Sequence, residues 1–334
     1  MSAIISRVLQ RREAVLALVI AVVCVVVTLI SPQFVSGTNV VNILTSNVVL
    51  AVLALGMAVV LVPAHIDVSV GAQLAVVAIV VSDLVIAVGE ASVLVNPITM
   101  VILGVLMGAV LGALNGVLVS WVRLPAIIVT LGMSSILRGV LFATTKGTWS
   151  SGVPGWLSSL QVKGPLGVPW VLVILAVTVA ALWFFMHRTT AGRNVMALGG
   201  NREAAARLGV KVGRVDMTVF VIMGALSGLA GVLYVIKMGS AQPGAAVGIE
   251  MSAIAAAILG GASVFGGRIH LAGTLLGVLL LGVIENALVL SGVPVYWQGL
   301  VSGLIVVTAV TAAVIQDRRA ARAQRIAAMA PKEQ

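Results

Sequence analysis

A chain of 334 residues that is 60% hydrophobic and 9% charged has too few polar side chains to clothe a water-soluble globule. Its net charge of +10 does not mark a nucleic-acid binder, because the basic residues fall between long apolar runs and at the C-terminus rather than on one soluble stretch. The single cysteine, Cys24, lies in the first apolar run and excludes a disulfide framework and a thiolate metal site. No cofactor is expected.

Arg7, Arg11 and Arg12 precede the first apolar run, 14–30, which looks like a secretory signal but has no small-residue cleavage site and reads as an uncleaved helix. Further runs follow at 42–62, 68–88, 97–120, 125–143, 169–186, 215–236, 251–265, 271–290 and 295–315, each matched to a bilayer's hydrocarbon thickness except the short eighth. The expected fold is therefore all-α: one polytopic domain over 1–334 with about ten membrane-spanning segments. The eighth run ends in Gly260, Gly261, Gly266 and Gly267, which predicts a broken helix buried by its neighbours. In the fourth run, Gly104, Gly108, Gly112 and Gly116 recur every four residues and predict close approach to another helix.

With the N-terminus in the cytoplasm, sixteen of the twenty Lys and Arg residues fall on the inner side, including the tail 316–334. Lys146, Lys163 and Lys237 are then external and Arg138 is inside the fifth run, the asymmetry that orients membrane proteins. Both termini and the loop 187–214 are expected in the cytoplasm.

Ile66-Asp67-Val68-Ser69 enters the third run and Ile249-Glu250-Met251-Ser252 enters the eighth in the same apolar, acidic, apolar, serine order. Asn115, Ser120 and Pro125 are echoed by Asn286, Ser291 and Pro294. In the expected topology Asp67 is cytoplasmic and Glu250 external, so the halves read as inverted repeats, an arrangement common in transporters. Asp67, Ser69, Glu250 and Ser252 are candidates for gates, or equally for helix caps. Asn47, Asn115, Thr130, Ser134 and Asn286, polar within apolar runs, are candidates for the path or for bonds between helices. Arg138 and Glu285, the deepest ionisable groups, can pair with each other or line the path. His65, His187 and His270 have no metal-site spacing and receive no role.

In the loop 187–214, Asn201 is positioned to cap a short surface helix, Glu203 complements its dipole in the first turn, and Gly209 can end it. The segment Glu203-Ala204-Ala205-Ala206-Arg207-Leu208-Gly209 resembles the coupling loop of ABC importer permeases. The stretches 56–72, 115–139, 191–210 and 249–267 are similar to permeases for ribose, rhamnose, other monosaccharides and the furanosyl autoinducer. Ala72 and Pro63-Ala64-His65 depart from that pattern.

The resemblance implies the inner-membrane permease subunit of a sugar importer, not an enzyme. Its partners would be ATP-binding cassette ATPases, a second permease of the same or a related chain, and an external sugar-binding protein. Asn201, Glu203, Ala204, Ala205, Arg207 and Gly209 would meet the ATPase. Lys146, Trp149, Trp156 and Lys163, in the outer loop 144–168, would meet the binding protein or anchor at the interface. The chain has no G-x-x-x-x-G-K-S/T phosphate loop, which agrees with energy supplied by a partner. Two other readings stand beside this one: an ion-coupled carrier using Glu285 or Asp67, and an ABC permease for branched-chain amino acids.

Overall fold

The structure, a computed structural model, describes residues 12–89, 96–151, 157, 160, 164, 167–294, 296–301, 303–304, 307–308, 311 and 315. The helices are α1 (Arg12–Ile30), α2 (Gly37–Ser46), α3 (Val48–Leu61), α4 (Val70–Val88), α5 (Pro97–Ser120) and α6 (Ala126–Thr145). After them come α7 (Trp170–Arg188), α8 (Thr190–Gly200), α9 (Arg202–Arg207), α10 (Val212–Met238), α11 (Ile249–Leu259) and α12 (Leu271–Leu290). Two short strands, β1 (Ser150–Ser151) and β2 (Ser240–Ala241), pair antiparallel.

Among the described residues, seven helices are long and apolar enough to cross a membrane, and α2 with α3 make an eighth span if their 45° bend is counted as one broken segment. The bend falls at Asn47, whose Nδ2 donates back to the Ile43 carbonyl at 2.8 Å. The run expected at 251–265 is instead an eleven-residue helix, α11. At 1.5 Å per residue it covers about 16 Å, roughly half a hydrocarbon core. The run at 295–315 lies partly outside the described residues; those described between 296 and 315 are helical.

Between helices in lipid there is little hydrophobic drive, so contact depends on how closely backbones can approach. Every residue of α3 is buried, as is most of α10. α3 throughout, and α10 between its charged ends, are apolar nearly all round, the pattern of a helix enclosed on every side. The glycine row of α5 packs antiparallel on α10. A Cβ on Gly108 would stand 2.1 Å from the Gly224 carbonyl oxygen, and one on Gly228 would stand 1.9 Å from that of Gly104. Only hydrogen fits at either place. By contrast α1 is largely outward-facing and touches the rest through α12, burying Leu16 and Ile20 beside Leu280.

The connections define two ends. At one, the Val62 carbonyl accepts from Gly267 N at 2.9 Å and nearly touches Gly199, drawing α9, the starts of α10 and α12, and the α5–α6 turn together. We term this the α9 end. At the other, the β end, the β1–β2 pair joins the far ends of α6 and α10, and Ser150 Oγ donates to Ser82 Oγ of α4 at 2.8 Å.

The start of α11 reaches α4: a Cβ on Gly71, one turn after Asp67, would stand 2.6 Å from Glu250 Oε2. From there α11 runs toward the α9 end, whereas α4 runs toward the β end.

Candidate functional site

A turn of non-helical backbone between α3 and α4 carries Asp67 and Ser69, both fully buried. Buried polar groups must find partners. Asp67 Oδ1 accepts from Ser69 N at 2.8 Å and from Ser69 Oγ at 2.6 Å. Ser69 Oγ in turn accepts from Asn115 Nδ2 at 2.8 Å and from Gln73 Nε2 at 2.7 Å. The turn is thereby tied to α4 and α5, and Thr130 Oγ1 adds α6 by donating to the Ile66 carbonyl at 3.3 Å. Asn115 Oδ1 and Gln73 Oε1 remain buried without a protein partner.

Beside this enclosed network lies a partly exposed polar face. Arg138 of α6 donates from Nη1 to the Pro243 carbonyl at 2.6 Å, and its guanidinium is within Coulombic reach of Glu250. Glu250 Oε1 accepts from Gly248 N at 3.2 Å, while Oε2 is buried and unpartnered. Ser134 and Ser252 are half-buried on the same two helices. Charged groups this far along apolar helices must face protein, water or each other.

The pairing of Arg138 with Glu285 does not occur. Glu285 has Lys237 as its charged neighbour instead, and Lys237 Nζ donates to the Ser46 carbonyl at 2.9 Å, filling the acceptor left by the α2–α3 break. Asn286 of α12 exchanges two amide hydrogen bonds with Asn39 of α2, at 2.9 and 3.0 Å. Asn286 is therefore engaged between helices, Asn47 bonds back to α2 at the bend, and Asp67, Ser69, Asn115 and Thr130 form one buried unit.

The loop 187–214 is largely helical. Asn201 Oδ1 accepts from Ala204 N at 2.9 Å, the expected cap of α9. Gly209 ends the helix at φ +88°, a conformation that favours glycine. Glu203 and Arg207 are exposed and 3.7 Å apart. Ala205, however, is buried against its own chain, so the outward surface of α9 is formed by Ala204, Ala206 and above all Leu208, which is 85% exposed. At the β end Lys146, in the left-handed conformation after α6, and Trp149 are exposed. Trp156, Lys163 and the tail 316–334 lie outside the described residues.

Sequence reasoning missed a buried carboxylate. Asp216, in the first turns of α10, accepts from His65 Nε2 at 2.9 Å and from Arg202 Nη2 at 2.5 Å. His65 has no metal-site spacing that would mark it in the sequence. Its partner is 151 residues away, so only the fold reveals the pair. This triad borders a cavity of about 860 Å3 at the α9 end, lined also by Ser120 and Arg123.

Comparison with known proteins agrees with this architecture. Residues 39–310 match the family described as "Branched-chain amino acid transport system / permease component". The chain is 37% identical to the ribose import permease protein RbsC of Escherichia coli strain K12 over 310 residues, covering 90% of this chain and 93% of that one. RbsC of Bacillus subtilis strain 168 is 36% identical, with 91% of this chain and 92% of the relative covered. The autoinducer 2 import system permease protein LsrC of Enterobacter sp. strain 638 is 36% identical, with 89% and 85% covered. No solved structure matches. Long apolar helices, backbones drawn together by glycine and a match across most of the chain place this multi-pass protein of the inner membrane in the family of ABC importer permease components.

Proposed function

We propose that the chain forms the translocation path for a monosaccharide or a similar polyol or furanosyl solute, paired with a second permease and driven by a separate ATPase. The observation that carries this reading is the approach of Arg138 to Glu250, with Ser134 one turn before Arg138, where α11 begins partway along the bundle. Helices that start or stop at such a depth leave polar groups available to a hydrated solute. A sugar shedding water needs both donors and acceptors in return, and the guanidinium, the carboxylate and the Ser134 hydroxyl offer both. The ribose and autoinducer 2 permeases among the relatives favour this solute class. Among the groups in the membrane bundle, neither Glu285 nor Asp67 is free for ion coupling: one faces Lys237 and the other is held by Ser69.

The α9 end is cytoplasmic in this reading, and 295–315 completes ten spans. The opposite directions of α4 and α11 from neighbouring starts support two inverted repeats. Through exposed Leu208, with Glu203, Ala204 and Arg207 beside it, α9 seats in the ATPase. An external binding protein docks at the β end, where Lys146 and Trp149 are exposed.

The test is uptake by the whole importer in proteoliposomes, with labelled ribose as the probe and labelled leucine as the competitor class. Ribose should enter only with ATP and binding protein, and Glu250→Gln should reduce uptake while the complex stays assembled. Leucine uptake in place of ribose, or ribose uptake driven by an ion gradient without ATP, would overturn the reading.

A further inference from the structure

We infer that Asp216 is the joint through which movement of α9 reaches the turn bearing Asp67; the inference rests on the reading of α9 as the ATPase-facing helix. Two consecutive helices and a turn 151 residues earlier meet at this one carboxylate. Arg202 is the first residue of α9, His65 lies two residues before Asp67, and Asp216 belongs to α10, the most enclosed of the long helices. The His65 ring also lies against Phe220, one turn further along α10, with centroids 5.7 Å apart. That contact fixes His65 to α10 when Asp216 holds its Nε2.

The three groups differ in their freedom. The Asp216 side chain is 3% exposed and that of His65 14%, but Arg202 is 47% exposed and borders the cavity at the α9 end. Arg202 can therefore leave the carboxylate and find water, while Asp216 keeps His65. This gives two arrangements, engaged and released, whose balance depends on where α9 stands. A buried charge pair adds little to stability beyond what apolar packing could supply, so its presence is better explained by positioning. Beyond His65 the route is short: Ile66 is held by Thr130 of α6, and Asp67 by Ser69, Gln73 and Asn115. Asp216 is a positioning residue, because it acts on the path only through these neighbours.

The experiment uses the complete importer in nanodiscs, comparing hydrolysis with and without ribose-loaded binding protein. Arg202→Ala and Asp216→Asn should each retain the ATPase subunits yet lower the stimulation ratio by about tenfold, within the usual range for coupling between sites. The double variant should be no worse than the worse single one, since both break one linkage. Arg202→Lys, which keeps the charge, should recover part of the ratio. A purely structural role would lower thermal stability and leave the ratio unchanged, which would overturn the inference, as would additive losses in the double variant. Leu208→Glu tests the underlying reading separately: if the ATPase stays bound in that variant, α9 is not its seat, whatever Asp216 does.

Discussion

Ser69 Oγ is shared by three buried side chains, donating to Asp67 and accepting from Gln73 and Asn115. Ser69→Ala removes the hydroxyl acceptor of Gln73 and Asn115 and one of the donors to Asp67, which keeps the Ser69 backbone N–H. A buried polar group left unmatched costs about 1–3 kcal/mol, and the unpartnered Asn115 Oδ1 shows the site has no spare protein donor to compensate. The variant should therefore lose heat stability in detergent, measured by thermal unfolding of the purified chain. An unchanged midpoint would show that water satisfies the network. Which polar residues would be engaged was legible from the sequence, since Asp67, Ser69, Asn115 and Thr130 are polar within apolar surroundings. Their mutual bonds were not, because the partners come from three helices. Arg138 and Glu285 illustrate the same limit: depth along a helix can be counted, whereas the direction a side chain takes around the bundle cannot.

The apolar runs gave good helix boundaries because charged residues, prolines and glycines punctuate them, as at Pro97 and Pro125. The break at Asn47 left no such mark, since the run continues across it. The glycine row of α5 announced a close partner, but α10 as that partner emerged only in three dimensions. Gly108→Leu should force α5 and α10 apart, because even a Cβ would meet the Gly224 carbonyl at 2.1 Å. Gly132→Leu on α6, where nothing lies within 4 Å, should be tolerated in the single chain. Comparing the amounts of folded protein extracted from membranes checks this, and equal yields for both variants would contradict the packing. The helix α9 shows a different limit. Its cap was readable from Asn201 and Gly209, yet its outward surface was not: Ala205 is buried, and Leu208 just after the helix is exposed. Leu208→Glu should strip the ATPase from the purified complex without preventing insertion, whereas retained ATPase would show that α9 docks elsewhere or not at all.

Orientation of the whole molecule follows from where charge collects along a bundle whose two ends are now defined. The α9 end carries Arg123, Arg202, Arg207, Lys211 and Arg214, while the described part of the β end offers Lys146 and Lys237. Basic residues are retained on the cytoplasmic side of a bilayer, so the α9 end should face the cytoplasm. The test replaces Cys24 by Ala and introduces one cysteine at an exposed position at either end. Trp149→Cys, beside β1, should react with a membrane-impermeant maleimide in intact cells. Leu208→Cys, beside α9, should react only after the cells are permeabilised. Both positions are well exposed, at 64% and 85%, so failure to label cannot come from burial within the chain. The reverse pattern would invert the molecule, placing α9 where no ATPase could reach it and removing the physical basis for reading it as the coupling helix.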